Sequence, residues 1–215
     1  LNRFDGNEFK VYYPASGIGE KFTSNHIWTL QYREESDELW VGTYGGLCIY
    51  LPGADTIRAI GDIYPFAAAL NSMAIRKIVS DQSGHMWVIT TNNGLIDVDI
   101  PGQKLKRYFN TSEYAGQVMD FVVLGERLIT GLKNQLLMAS TDSDIVEFQP
   151  VGEIVYPSPI NAIYGHDKRL FIGTLSSGVY VCENLEEGRI HQVLGNLNFG
   201  GVDCFGMEGE DYLWI

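Results

Sequence analysis

Leu39-Trp40-Val41-Gly42-Thr43-Tyr44-Gly45-Gly46-Leu47-Cys48-Ile49-Tyr50 holds two apolar runs on either side of a glycine-bearing turn. Runs this short, rich in β-branched and aromatic residues, read as the arms of a tight β-hairpin. The pattern returns three times. It appears as Met86-Trp87-Val88-Ile89-Thr90 before Asn93-Gly94-Leu95-Ile96-Asp97-Val98, as Leu128-Ile129-Thr130-Gly131 before Asn134-Gln135-Leu136-Leu137-Met138, and as Leu170-Phe171-Ile172-Gly173-Thr174 before Ser177-Gly178-Val179-Tyr180-Val181. A fifth copy opens at Leu213-Trp214-Ile215. The large apolar residue falls at 40, 87, 129, 171 and 214, at intervals of 47, 42, 42 and 43. Four consecutive intervals this close mark an internal repeat.

Working outward, a shorter apolar segment precedes each copy: Ile27 to Leu30, Ile75 to Val79, Val118 to Val122, Ile160 to Tyr164 and Val202 to Phe205. A polar turn follows each, as at Glu34 to Asp37, Asp81 to Gly84, Gly125 to Arg127, Gly165 to Lys168 and Glu208 to Asp211. A further strand is expected after each hairpin, at Thr56 to Ile60, Leu105 to Phe109, Ile145 to Phe148 and Ile190 to Leu194. Only residues around 64–74 and 111–117 could form a turn of helix. Four short strands per repeat of about 43 residues predict an all-β fold, a β-propeller with four-stranded blades. The first strand of each blade lines a channel, and the fourth, charged at Lys104, Lys106, Arg107 and Glu147, lies outermost. The large residue of each copy fills the space between neighbouring blades, because one blade cannot cover its own faces. The chain reads as one propeller region over 1–215, with a half blade at 1–24, blades at 25–70, 71–116, 117–159 and 160–200, and a half blade at 201–215. Phe4 to Tyr12 reads as a hairpin equivalent to third and fourth strands, so the chain begins and ends in mid-blade with about five blades' worth of sequence.

Composition agrees with a packed β-protein. Of 215 residues, 45% are hydrophobic and 20% charged, which excludes a disordered chain. Glycine (24) far exceeds proline (7), as many tight turns require. The formal net charge of −12 repels phosphate backbones, so no nucleic-acid partner is expected. Cys48, Cys182 and Cys204 are odd in number, widely spaced and without a CxxC, and read as three buried small hydrophobes. No apolar run approaches a membrane span, and no leader is visible in a chain that starts at Leu1.

Asn25, Ile27, Leu30, Leu39, Trp40, Gly42, Thr43, Gly46, Leu47 and Tyr50 also follow a known pattern, roughly N-x-I-x-x-I-x-x-D-x-x-G-x-L-W-x-G-T-x-x-G-L-x-x-Y. Ile75, Ile78, Asp81, Gly84, Met86, Trp87, Thr90, Gly94 and Leu95 match it in the second copy, and Asn161, Ile163, Leu170, Gly173, Thr174 and Gly178 in the fourth. The third departs most, with Ile129 in place of Trp and Gln135 in place of the later Gly. On these residues the chain resembles the two-component-regulator propeller repeat. The resemblance implies the periplasmic sensor region of a hybrid two-component histidine kinase from Bacteroides-like bacteria. It implies an arc of a seven-bladed propeller rather than a small closed ring, in a parent receptor that is anchored in the inner membrane, forms a homodimer and senses glycans.

Candidate site residues sit where the loops between second and third strands meet those entering first strands. These are Asn25, His26, Tyr44, Asn92, Asn93, Lys133, Asn134, Asn161 and Ser176. Amides and hydroxyls match the donors and acceptors of a sugar, and a flat ring packs on its apolar face. An oligosaccharide or another small ligand is therefore the expected partner. The same residues also suit turn geometry alone. His26, His85, His166 and His191 are scattered and read as surface residues rather than a metal cluster. Asp120 and Asp203, on channel strands, could serve chemistry or cap backbone amides. No nucleophile elbow or nucleotide-binding glycine motif is present, so no catalytic residue, metal or cofactor is expected. The leading reading is a non-catalytic sensor. A protein-interaction scaffold and a polysaccharide lyase or glycosidase are the alternatives: an exposed apolar strip would favour the first, convergent acids the second.

Overall fold

In the computed structural model the strands form four four-stranded antiparallel sheets and two hairpins. The structure describes residues 1–13, 24–142, 146–152, 155–195, 201–208 and 212–215. A first hairpin joins β1 (Asn2–Phe4) to β2 (Phe9–Val11). The first sheet holds β3 (Ile27–Arg33), β4 (Glu38–Thr43), β5 (Gly46–Leu51) and β6 (Thr56–Ala59). The second holds β7 (Ile75–Ser80), β8 (His85–Thr90), β9 (Leu95–Asp99) and β10 (Lys104–Tyr108). The third holds β11 (Val118–Leu124), β12 (Arg127–Leu132), β13 (Gln135–Ser140) and β14 (Gln149–Pro150). The fourth holds β15 (Ile160–His166), β16 (Arg169–Thr174), β17 (Val179–Cys182) and β18 (Ile190–Leu194). A last hairpin pairs β19 (Gly206–Glu208) with β20 (Tyr212–Trp214). Every four-stranded sheet is a meander in chain order.

Residues 1–80 with 84–116 form one compact unit, and 81–83 with 117–215 the other. In the first unit the first sheet is covered on both faces. Trp40, Leu47 and Ile49 pack with Ile75, Ile78, Met86, Val88, Ile96 and Val98 of the second sheet. Val41, Cys48, Tyr50 and Ile57 pack with Tyr12 and Leu1 from the first hairpin. That hairpin is fastened at Asp55, whose carboxylate accepts hydrogen bonds from Lys10, Tyr12, Tyr50 and Arg3. The Lys10, Tyr12 and Tyr50 donors hold its pKa below the ordinary carboxylate value. In the second unit Ile129 and Leu136 pack with Ile160, Ile163, Leu170 and Ile172. Ala162 and Val179 pack with Val202 and Phe205.

The repeat motif has a direct structural meaning. The threonine, three residues before the turn glycine in the first sheet and four before it in the second and fourth, closes the hairpin: Thr43 Oγ1 donates to Gly46 O (2.8 Å), Thr90 Oγ1 to Gly94 O (3.2 Å) and Thr174 Oγ1 to Gly178 O (2.9 Å). Gly94 and Gly178 have φ of 69° and 83°, and a Cβ there would lie 2.3 Å from Tyr108 O and 2.1 Å from Leu194 O. The earlier glycine permits close sheet stacking: a Cβ at Gly131 would lie 2.6 Å from Ile160 Cγ2.

Several expectations need correction. The fourth strand of the third sheet is Gln149–Pro150, not 145–148, and Ile145 lies outside the described residues. Pro150 offers no N–H, so this edge strand is brief. The segment 202–205 is not strand: β19 begins at Gly206, opposite Trp214, and only Val202 N, donating to Thr174 O, keeps the expected entry. The turn at 209–211 lies outside the described residues. Residues 60–72 hold a short helix α1 (Ile60–Ile63) and a 3₁₀ segment, Pro65–Ser72, which buries Ala67 and Leu70. Cys48 and Cys182 are buried, but Cys204 is exposed.

Candidate functional site

In each four-stranded sheet the loop between second and third strands lies beside the chain entering the first. Tyr44 N donates to His26 O (3.0 Å), Thr91 N to Ala74 O (3.0 Å), Lys133 N to Gln117 O (3.2 Å) and Leu175 N to Pro159 O (3.0 Å). The sequence-predicted residues are therefore at this end of their sheets. Asn25, His26, Asn92 and Ser176 are exposed, and Tyr44 is 61% exposed. Asn93, Lys133 and Asn134 are half-buried, and their backbones serve the turns. Asn93 N donates to Thr90 Oγ1, Lys133 adopts a φ of 53°, and Asn134 O accepts from Tyr156 N. Ser176 N donates to Ser158 Oγ. His26 and Tyr44 are brought together, with ring centroids 6.4 Å apart.

A feature not legible in the sequence organises this end. All four first strands carry a register irregularity at their entry, between Ile27 and Thr29, Ile75 and Lys77, Val118 and Phe121, and Ile160 and Ala162. A bulge drops one residue from the ladder and re-aims its side chain. The residues so placed are Trp28, Arg76, Met119 with Asp120, and Asn161. Of these, Asn161 and Asp120 were singled out by sequence reasoning, Asn161 as a candidate ligand residue and Asp120 as a buried acid. The available signal was a position directly after a constant β-branched residue whose own identity changes in every repeat.

In the first unit Trp28 and Arg76 line a cavity of about 450 Å³ together with Thr91. Trp28 is 45% exposed, and its ring meets Tyr44 edge-on at 5.6 Å between centroids. Thr91 Oγ1 is buried and has no hydrogen-bond partner among the described residues. In the second unit Asn161 Nδ2 donates to Val202 O and Asp203 Oδ1, both at 2.9 Å. Asp120 accepts from the backbone amides of Phe121 (2.8 Å) and Ile163 (2.7 Å). Asp120 on β11 and Asp203, which lies outside any strand, are thus both engaged by neighbouring donors. Another cavity, of about 390 Å³, lies at the opposite end of the second unit's sheets, and its Arg127 pairs with Glu186 at 3.3 Å.

His85 is not the surface turn residue expected. It opens β8, stacks on Trp87 and places Nδ1 2.7 Å from Oδ1 of the buried Asp97. Burial pushes the Asp97 pKa up, against the opposing pull of His85. Among the described residues no group of three or more His, Cys, Asp or Glu is arranged to hold a metal ion. Among them, too, no helix is long and apolar enough to cross a membrane.

No family model matches the chain, and no curated protein matches it. Solved structures do. The extracellular domain of BT4673 from B. thetaiotaomicron, a protein assigned as a one-component system, superposes with a TM-score of 0.74 at 14% identity, over 99% of this chain and 27% of that one. The extracellular domain of BT3049 from the same organism, assigned as a hybrid two-component system, gives 0.70 at 14% identity, over 96% and 27%. The β-propeller domain of Cps50 (Swd1) from Myceliophteria thermophila gives 0.59 at 11% identity, over 85% and 59%. The chain thus spans about a quarter of the length of the two bacterial domains, and at these identities what it shares with all three is a fold.

Proposed function

We propose that the chain is about five blades of a seven-bladed β-propeller in the periplasmic sensor region of a two-component signalling protein, and that it binds a carbohydrate without transforming it. The parent receptor, on this reading, is anchored in the inner membrane and acts as a homodimer. Ligand binding biases the packing of blades or subunits, and that bias reaches the downstream modules. The fold shared with two bacterial extracellular domains supports the setting. The observation that carries the ligand class is the exposed Trp28–Tyr44 pair beside His26, at the loop end of the first sheet. Flat rings left in solvent next to polar loop residues suit the apolar face and hydroxyl rim of a sugar. The engagement of Asp120 and Asp203 by protein donors supports binding over acid–base catalysis.

One observation favours a second reading, the interaction scaffold. Trp28, Leu30 and Tyr32 alternate along β3 and are 45%, 49% and 47% exposed, an apolar strip on one face of the strand. The two readings separate in one experiment, a panel of oligosaccharides tested for melting shift on this protein and on the intact ectodomain. The sensor reading expects a rise of a few degrees with at least one glycan. It also expects that rise to be lost in Trp28→Ala and kept in Tyr32→Ser. No shift with any glycan on either protein overturns it.

A further inference from the structure

We infer that the cavity lined by Trp28, Arg76 and Thr91 is a subsite for an acidic sugar, one that carries a carboxylate or sulfate beside an apolar ring face. The inference rests on the carbohydrate reading above and narrows it. Its starting point is the backbone. Trp28 and Arg76 are the bulged residues at the same place in two successive first strands, so both leave the ladder at the loop end of their sheets. They meet in one cavity of the first unit, of about 450 Å³, a volume within the range of small-ligand sites.

Each wall supplies one element of recognition. Trp28, flanked edge-on by Tyr44, offers an indole half open to solvent for the C–H face of a pyranose. Thr91 closes the third side, with its hydroxyl buried and without a hydrogen-bond partner among the described residues. Arg76 offers the charge. Its planar guanidinium carries five N–H donors in a fork that fits two oxygens of one oxyacid group. The corresponding bulge residues elsewhere are Trp28, Met119 with Asp120, and Asn161, so Arg76 is the cation of the set. It stands in a chain with 15 basic residues against 27 acidic ones, whose overall field holds anions off. A cation placed by a bulge against that background gives the cavity a local attraction for an anion.

The test compares trigalacturonate with its methyl ester, which keeps the shape and removes the charge, and with a sulfated disaccharide and its unsulfated parent. Binding is measured by calorimetry at low and moderate salt, on wild type, Arg76→Gln, Arg76→Lys and Trp28→Ala. The expected result is that an acidic ligand binds about tenfold or more tightly than its neutral counterpart. Arg76→Gln removes that margin, Arg76→Lys keeps part of it, and added salt narrows it. Trp28→Ala weakens both members of a pair. Preference between the uronate and the sulfate arm identifies the anion. Equal binding of charged and neutral members, unchanged by Arg76→Gln, overturns the acidic subsite and leaves the carbohydrate reading standing. Absence of binding by every probe, charged or neutral, on a wild-type protein that melts cooperatively overturns both.

Discussion

Asp97 occupies the place that an apolar residue takes in the other sheets. Paired across the ladder from the large apolar residue of the repeat stand Ile49, Asp97, Met138 and Val181. Asp97 is 1% exposed, with Trp87 and Lys106 in register on either side. Its Oδ1 meets His85, which also lies 3.8 Å from Asp99, and its Oδ2 has no partner among the described residues. A carboxyl held half-satisfied in this way resists ionisation, and burial raises its pKa above the ordinary 3.8. Between 3.8 and that raised value the folded state holds more protons than the unfolded, so stability falls as pH rises through the window and acidification restores it. The melting temperature of the wild type, measured relative to Asp97→Asn, should therefore climb as pH is lowered from neutrality towards the ordinary carboxylate value of 3.8. A difference that stays flat with pH would remove Asp97 as its source. None of this was visible in Leu95-Ile96-Asp97-Val98-Asp99, whose alternation reads as one polar and one apolar face. Sheets covered on both sides bury both faces, and alternation then loses its meaning. The buried Trp40 and Trp87 were legible for the opposite reason: size and apolarity at a constant interval point one way only.

At the scale of elements the hairpin between second and third strands was the clearest signal, and its chemistry explains why. Three of the four copies use a threonine hydroxyl to bond the glycine carbonyl across the turn, while the third sheet, which lacks both residues, turns through Lys133 with a φ of 53°. The glycine is needed twice over, for its left-handed backbone and for the space its missing Cβ leaves beside the fourth strand. Gly94→Ala should cost at least about 2 kcal/mol in urea unfolding, because the added Cβ meets the Tyr108 carbonyl at 2.3 Å and the φ is unfavourable. Thr90→Val should cost about 2 kcal/mol, because it removes two hydrogen bonds, the one Thr90 Oγ1 donates to Gly94 O and the one it accepts from Asn93 N. Equal, small losses for the two would mean that the turn tolerates either change and that the motif reflects something else. The bulges were not legible, since a register shift changes pairing without changing residue type. That is why Asn161 was found through its amide while Trp28 and Arg76 were passed over as ordinary strand residues.

Across the whole chain, each sheet's stability depends on a neighbour. The first sheet is covered by the second on one face and by the first hairpin on the other, and the third packs with the fourth. The repeat interval already implies this dependence, because a lone four-stranded unit leaves apolar faces open. The proposal that these blades form an arc of a larger ring carries the same logic to the flanks. Phe9 is 73% exposed and Trp214 63%, although Trp214 holds the repeat position that is buried at Trp40 and Trp87. In a closed seven-bladed ring the adjoining blades would cover both residues. The 215-residue protein should then self-associate through these faces, with a sedimentation coefficient that rises with concentration, while a chain extended by the adjoining blades should not. The Trp214 environment should follow: its fluorescence should be quenched by iodide in the 215-residue protein at low concentration and protected in the extended chain. Monomeric behaviour at every concentration, with Trp214 equally accessible in both proteins, would mean that the flanking faces need no partner, and the arc would have to be given up for a self-sufficient assembly of these sheets.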